Sequence, residues 1–364
     1  MNGISKKRPL SKILTIVIPA YKAETTINNT LESLNYQLGN YFDVLIVDDG
    51  NPNPLLPYIQ PWIKLYPNVI KYVRTKNNNW GGVVNYAIKH VKTKYVKILD
   101  ADDSFFTNDL QSYFESLQHI SKTDCDIIIN SYAIHDIKNN ALMKRYYNLY
   151  NKTVFTNFDK RFFVKIITMH AMTWRTDFLK KMRPLPTKTS YTDNLLVFYS
   201  ILASRQIALM PRHVFVYQYK FGYLDQSMLP NNMLSSLPKL INIFHQMLNF
   251  NDKDLTNKRI RSLINCIKQM FYLIMLIISL NKQIYHWQKK QQINAELTFL
   301  RKNCEMHNSY YNKLIKTGYL FFINKHTLPL IMKLNKLILI TSQIGFLKLL
   351  KGQYKKYQRE KVWK

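Results

Sequence analysis

The sequence predicts an α/β domain over residues 1–230 and a basic, mainly helical region over 231–364. Three observations carry this. Short β-branched runs alternate with helical patterns in the first part. Those runs are apolar along nearly their whole length, the mark of strands covered on both faces of a parallel sheet. After residue 230 the strand patterns give way to long helical ones.

The elements follow in order. Ile13 to Ile18 is a β-branched run stopped by Pro19, hence a strand. Glu24 to Leu38 carries Ile27, Leu31, Leu34 and Leu38 at helical spacing. Phe42 to Val47 is the second strand, ending at Asp48-Asp49-Gly50. Leu55 to Tyr66 reads as a proline-interrupted helix. Val69 to Arg74 is a third strand, Val83 to Val91 a helix and Tyr95 to Leu99 a fourth strand. Asp109 to Ile120 is a helix and Asp126 to Ile134 a further strand. The later helical patterns are Leu237–Phe250, Arg259–Leu280 and Leu328–Leu350. Sheets of this kind bind ligands at the carboxyl ends of their strands. Asp48-Asp49 and Asp100-Ala101-Asp102-Asp103 sit at two such ends.

Composition narrows the class. The chain has 364 residues, and its 47% hydrophobic content excludes a disordered tail protein. Lys and Arg number 52 against 22 Asp and Glu, a net charge of +30. Glu is nearly absent, with six in all, and residues 281–364 hold 17 Lys and Arg against 3 Glu. Such a field favours an anionic partner: nucleic acid, an acidic membrane or a phosphorylated substrate. Cys125, Cys266 and Cys304 have neither disulfide-framework nor zinc-site spacing, so free thiols in a reducing cytosol are expected. Met1 to Leu10 is basic with no apolar stretch, so no signal peptide is expected. The longest uncharged apolar run, Met270–Leu280, falls short of the ~20 residues a bilayer span needs.

Asp100, Asp102 and Asp103 repel one another by about 3 kcal/mol per pair at ~5 Å and an effective dielectric of 20. Either they form a solvated, helix-capping turn, or a divalent cation sits between them. Carboxylates suit hard ions such as Mg²⁺ or Mn²⁺.

Thr15-Ile-Val-Ile-Pro-Ala-Tyr21, Val44-Leu-Ile-Val-Asp-Asp-Gly50, Trp80-Gly-Gly-Val-Val-Asn85 and Val96-Lys-Ile-Leu-Asp-Ala-Asp-Asp103 resemble, in order and spacing, the family 2 glycosyltransferases. The resemblance covers roughly residues 12–230. It implies a GT-A fold, a Rossmann-like sheet binding a nucleotide sugar, and an inverting transfer that builds a bacterial cell-surface polysaccharide or glycoconjugate. By that resemblance Pro19 and Tyr21 line the nucleotide pocket. Asp48 and Asp49 mark the uracil-contacting acid position of a UDP-sugar site. Asp100 and Asp102 form the Asp-x-Asp pair, with Asp102 the direct ligand of Mn²⁺ or Mg²⁺ and Asp103 a neighbour. Thr168 to Leu179, containing His170, resembles a segment of a bacterial subgroup. Tyr191-Thr-Asp193 matches the catalytic-base position, with Thr192 where the family usually has Glu. Tyr217 to Ser227 resembles a Gly-x-x-x-Gln-Ser tail in which Tyr223 stands for a common Arg, and Lys220 is the substitute contact to the diphosphate. No Gln-x-x-Arg-Trp motif is present, which argues against a processive synthase.

Several residues keep a second reading. Asp193 is either the base or a helix N-cap. His170 either orients the acceptor or satisfies a loop. Trp80 either stacks on an acceptor sugar or packs, and Tyr191 is a further acceptor candidate. Gly81-Gly82 either admits a phosphate or loosens a helix start. At the C-terminus Phe346-Leu-Lys-Leu-Leu-Lys351, Tyr354 to Arg359 and Val362-Trp363-Lys364 have the make-up of an interfacial segment. That suits an enzyme peripheral on the inner face of the cell membrane, with a lipid-linked or glycan acceptor. The alternatives are a homo-oligomer or protein-acceptor surface, and a nucleic-acid module, for which no helix-turn-helix, zinc-knuckle or RNA-recognition signature exists. The rival from another class is a non-catalytic sheet protein tethered by that basic region.

Overall fold

The computed structural model describes residues 12–136, 140–148, 150–156, 167–221 and 237–248. Of these, 12–221 fall in one compact unit and 237–248 in a second. The first unit runs β1 (Leu14–Ala20), α1 (Ile27–Glu32), β2 (Phe42–Asp48), α2 (Leu56–Leu65), β3 (Ile70–Arg74) and α3 (Asn79–His90). It continues with β4 (Tyr95–Ile98), β5 (Ser104–Phe105), α4 (Leu110–Ile120), β6 (Ile127–Ile129), β7 (Ser131–Asp136), β8 (Ala141–Arg145) and β9 (Val154–Thr156). Then come β10 (Met172–Arg175), α5 (Thr176–Lys180), α6 (Thr192–Ala203), β11 (Ile207–Leu209) and β12 (Phe215–Phe221). The described element of the second unit is α7 (Leu237–Leu248).

An eight-stranded sheet has the order β3-β2-β1-β4-β10-β6-β11-β9, and a four-stranded sheet has β5-β12-β7-β8. The first four strands of the large sheet are parallel, as expected. The sheet is nevertheless mixed, because β10 runs antiparallel to both β4 and β6. A parallel neighbour needs a crossover, usually a helix. Between β6 and β10 the described chain is strand and turn instead.

The expected strand Asp126–Ile134 splits between the two sheets at Asn130. This buried residue donates from its backbone N to Ala171 O (2.9 Å) and from Nδ2 to Ser131 O (2.7 Å). The expected helix Glu24–Leu38 stops at Glu32. Beyond it, the Asn35 side chain accepts from Gln37 N (3.2 Å) and opens a separate 3-10 turn, Tyr36–Leu38. Helix α3 begins at Asn79, four residues before the expected start.

The core is the apolar strand sequence itself. Leu14, Ile16, Ile18, Val44, Ile46 and Ile98 are buried, each contributing about 1.5–3 kcal/mol. Cys125 is a buried free thiol, and Cys266 and Cys304 lie outside the described residues. So do the helical patterns after residue 250 and the interfacial segment 346–364. Among the described residues no helix is long and apolar enough to cross a membrane.

One core position is charged. Lys97 on β4 is fully buried and donates from Nζ to Asn130 Oδ1 (3.2 Å), His170 O (3.1 Å) and Met172 O (3.0 Å). Its acceptors are all neutral, and burial pushes its pKa down to about 7. Between that value and the ordinary lysine range the unfolded chain binds more protons, so this group's contribution to stability rises with pH. The wild type is expected to gain roughly 2 kcal/mol over Lys97→Met between about pH 7 and about pH 9, read by urea unfolding. Parallel stability curves for the two chains would refute a depressed lysine.

Candidate active site

The carboxyl ends of β2, β1 and β4 lie side by side. Ala20 pairs with Asp48, Val17 pairs with Ile98, and Leu99 N donates to Val17 O (2.9 Å). Both acidic motifs are thereby brought to one end of the sheet.

At the β2 end Asp48 is buried and engaged by the protein. Oδ1 accepts from Asn51 N (2.9 Å) and Asn51 Nδ2 (2.7 Å); Oδ2 accepts from Leu55 N (3.2 Å) and Tyr72 OH (2.7 Å). Burial raises its pKa, but the donors from Asn51, Tyr72 and Leu55 outweigh that and hold the carboxyl below the usual range. Asp49 accepts from Asn78 N (2.9 Å) and is pushed upward by burial and by the Asp48 charge. Gly50, at φ +66°, lies where a Cβ would stand 2.8 Å from Asn77 N, so this turn requires glycine. Pro19 is buried on β1. Tyr21 is exposed just beyond it, with Lys22 Nζ 5.5 Å from its ring centroid.

The turn after β4 is held from three directions. Thr30 Oγ1 on α1 meets Ala101 O (2.8 Å) and Asp103 O (2.7 Å). Trp80 Nε1 on α3 donates to Asp100 Oδ1 (3.0 Å). Tyr217 OH on β12 accepts from Asp100 N (3.2 Å) and donates to Asp103 Oδ2 (2.6 Å). Asp100, Asp103 and His170 each offer a ligand atom, all within 4.8 Å of one another. Asp102, half-buried on the same turn, is not in that group.

His170 comes from the 3-10 turn Met169–Ala171 that leads into β10. Its ring packs among Tyr132, Tyr217 and Tyr219, and its Nδ1 is buried with no hydrogen-bond partner. Burial, then the nearby Lys97 charge, pushes its pKa down to about 3, so the imidazole is neutral at ordinary pH. A neutral imidazole with an unpartnered buried nitrogen beside two carboxylates fits a divalent cation.

Asp193 stands in the first turn of α6. The N-cap is Tyr191, at φ +63°, and its side chain makes no capping bond, so Asp193 is not the N-cap. Asn194 Nδ2 donates to Asp193 Oδ1 (3.2 Å). Segment 185–193 is laid along the start of α3. Asn85 and Leu185 exchange two hydrogen bonds (2.8 and 2.9 Å), and Lys188 N donates to Asn78 O (2.9 Å). A Cβ on Gly81 would collide with Pro186 O and stand 3.1 Å from Thr192 Oγ1. The absent side chain therefore admits this segment, which neither sequence reading of Gly81 foresaw. Trp80 touches Asp100 and its neighbour Gly81 touches Thr192, so Asp193 lies at the same end of the sheet as the acidic turn. Lys220 lies on β12 opposite His135.

Residues 15–182 match the family profile described as Glycosyl transferase family 2. An uncharacterized glycosyltransferase of Mycoplasma pneumoniae is 30% identical over 203 residues, 52% of this chain and 62% of the relative. Over residues 15–182 the chain is thus similar to the family 2 glycosyltransferases. The minor teichoic acid biosynthesis protein GgaA of Bacillus subtilis is 30% identical over 108 residues, 28% of this chain and 24% of that protein. The chain thus spans less than two thirds of the curated relatives it matches. Residues 1–349 of S. aureus TarS, solved with UDP-GlcNAc, superpose with a TM-score of 0.58 at 18% identity, covering 78% of this chain and 79% of that one. At that identity the likeness speaks for the fold, and the α/β domain has the GT-A fold the motifs implied.

Sequence reading had not singled out Thr30, Asn51, Lys97, Asn130 or Tyr217 for the glycosyltransferase site. Lys97 did carry a signal, as a charge within an apolar strand. The others are ordinary polar residues, and the site partners of Thr30 and Tyr217 lie far along the chain.

Proposed function

We propose that the chain transfers a sugar from a UDP-sugar to an acceptor hydroxyl, with inversion, in the assembly of a cell-surface polysaccharide or glycoconjugate. The observation that carries this reading is the convergence of Asp100, Asp103 and the orphaned His170 Nδ1 at the strand end beside Asp48-Asp49. The TarS complex with UDP-GlcNAc supports a nucleotide-sugar donor, and GgaA supports a polymer-building context.

Asp100, Asp103 and His170 would hold a Mn²⁺ or Mg²⁺ ion, with Asp102 next on the turn. Bound there, the ion supplies positive charge against the departing diphosphate. The chain's own residues do the rest. Asp48 is occupied by protein donors and shapes the loop to Leu55, so Asp49 and the exposed Tyr21 would meet the nucleoside. Trp80 orients Asp100. Asp193 takes the proton of the acceptor hydroxyl as its oxygen bonds to the anomeric carbon and the bond to the diphosphate breaks. Attack opposite the leaving group turns an α-linked donor into a β-linked product without a covalent intermediate.

The test is a panel of nucleotide sugars with Mn²⁺. A UDP-sugar is expected to raise the melting temperature and to be hydrolysed slowly without acceptor. If no nucleotide sugar binds or turns over with Mn²⁺ or Mg²⁺, the reading fails.

A further inference from the structure

We propose that Tyr217 is a positioning residue whose hydroxyl sets the spacing of Asp100 and Asp103, and with it the affinity of the acidic turn for a divalent cation. This rests on the reading that the turn holds such an ion.

The argument begins with what the turn must overcome. Two carboxylates three positions apart, with ligand atoms inside 4.8 Å, repel each other when no cation is present. The turn's own bond, Asp103 N to Asp100 O (3.0 Å), joins backbone to backbone and does not involve the carboxylates. The Tyr217 hydroxyl accepts from the amide at the start of the turn and donates to the carboxylate at its end. One oxygen thus ties the Asp100 backbone to the Asp103 side chain. It donates to Oδ2 and so fixes the rotation of the Asp103 carboxylate.

The ring that carries this hydroxyl is immobilised. Tyr217 is fully buried. Its centroid lies 5.9 Å from Phe105 edge-on, 4.9 Å from His170, and 5.8 Å from Lys97 Nζ. Its strand β12 belongs to the four-stranded sheet and pairs with β5, which starts one residue after Asp103. The small sheet therefore reaches into the site through Tyr217. A buried hydroxyl merely needing a partner would be satisfied by one acceptor, whereas this one bridges both ends of the functional turn. Partners that orient metal ligands in this way commonly account for 10- to 100-fold in metal affinity.

Tyr217→Phe removes the hydroxyl and keeps the ring. In the full-length chain, Mn²⁺ binding is followed by the loss of the free-ion electron paramagnetic resonance signal, and melting temperature is measured without metal. The expected result is about a 10-fold or greater weakening of Mn²⁺ binding, with a matching rise in the Mn²⁺ concentration for half-maximal turnover and a smaller change in kcat at saturating Mn²⁺. A merely structural tyrosine would lower the melting temperature and leave the Mn²⁺ affinity unchanged, which overturns the proposal. If the Phe variant does not fold, a fluorinated tyrosine at 217 keeps the hydroxyl and alters its donor strength. A shifted Mn²⁺ affinity then supports the proposal and an unshifted one overturns it. A wild-type chain that binds no Mn²⁺ overturns the metal reading and this inference with it. A wild type that binds Mn²⁺ as well as its Phe variant does overturns the inference alone.

Discussion

Asp100→Ala is expected to lower metal-dependent sugar transfer by about 100- to 1,000-fold, the usual effect of removing one electrostatic contact to developing charge. Asp100 belongs both to the Asp-x-Asp pair read from the sequence and to the cluster with Asp103 and His170. Its side chain is already oriented by Trp80 Nε1 at 3.0 Å, so the loss cannot be made good by a neighbouring rotamer. Direct Mn²⁺ titration separates binding from chemistry. Asp100→Ala should lose Mn²⁺ affinity while keeping the fold, since the residue is only half-buried. The companions are Asp102→Ala and Asp103→Ala. The resemblance makes Asp102 the ligand; the side-chain geometry favours Asp103. The structure-based expectation is that Asp103→Ala follows Asp100→Ala and that Asp102→Ala loses less. The reverse order would return the metal to the Asp-x-Asp pair. Full metal-dependent activity in Asp100→Ala would remove the turn from the mechanism.

The legible part of this protein was whatever depends on local pattern. Strands β1 to β4 lie within two residues of their expected ends, because an apolar β-branched run stopped by Pro19 or Asp48-Asp49 specifies a strand locally. The placement of both acidic motifs at strand ends follows from the same pattern. What escaped depends on partners distant in sequence. Asn130 breaks a continuous β pattern because its backbone N is taken by Ala171, which no periodicity reveals. The antiparallel entry of β10 has the same origin. In the site, Thr30 and Tyr217 reach residues about 70 to 117 positions away. Gly81 read as a phosphate contact or a loose helix start. Only the approach of Pro186 and Thr192 shows why it carries no side chain. Asp193 read as a cap from local pattern and as the base by the resemblance, and Tyr191 holds the cap position.

That last point sharpens what Asp193→Asn should do. A capping aspartate contributes about 1 kcal/mol to its helix. Asp193 is not the N-cap of α6, and replacing it with the isosteric amide should leave the melting temperature within a few degrees of wild type. Its carboxylate sits in the first turn of α6, where the helix dipole favours a negative charge. In the proposed reaction that carboxylate is the proton acceptor. The amide keeps the shape and the bond to Asn194 but cannot take a proton. Transfer is therefore expected to fall by about 100- to 10,000-fold, while UDP-sugar and Mn²⁺ affinities stay within about twofold. Both substrate-binding constants and kcat must be measured, because the split between them identifies the role. If donor binding falls with kcat, Asp193 supports the pocket instead. If kcat survives, another group takes the acceptor proton. Thr192 stands where the family usually has Glu, and its buried hydroxyl lacks a hydrogen-bond partner, so it offers no second carboxylate to take over. This substitution is the most direct test of the proposal that inversion proceeds with one carboxylate as base.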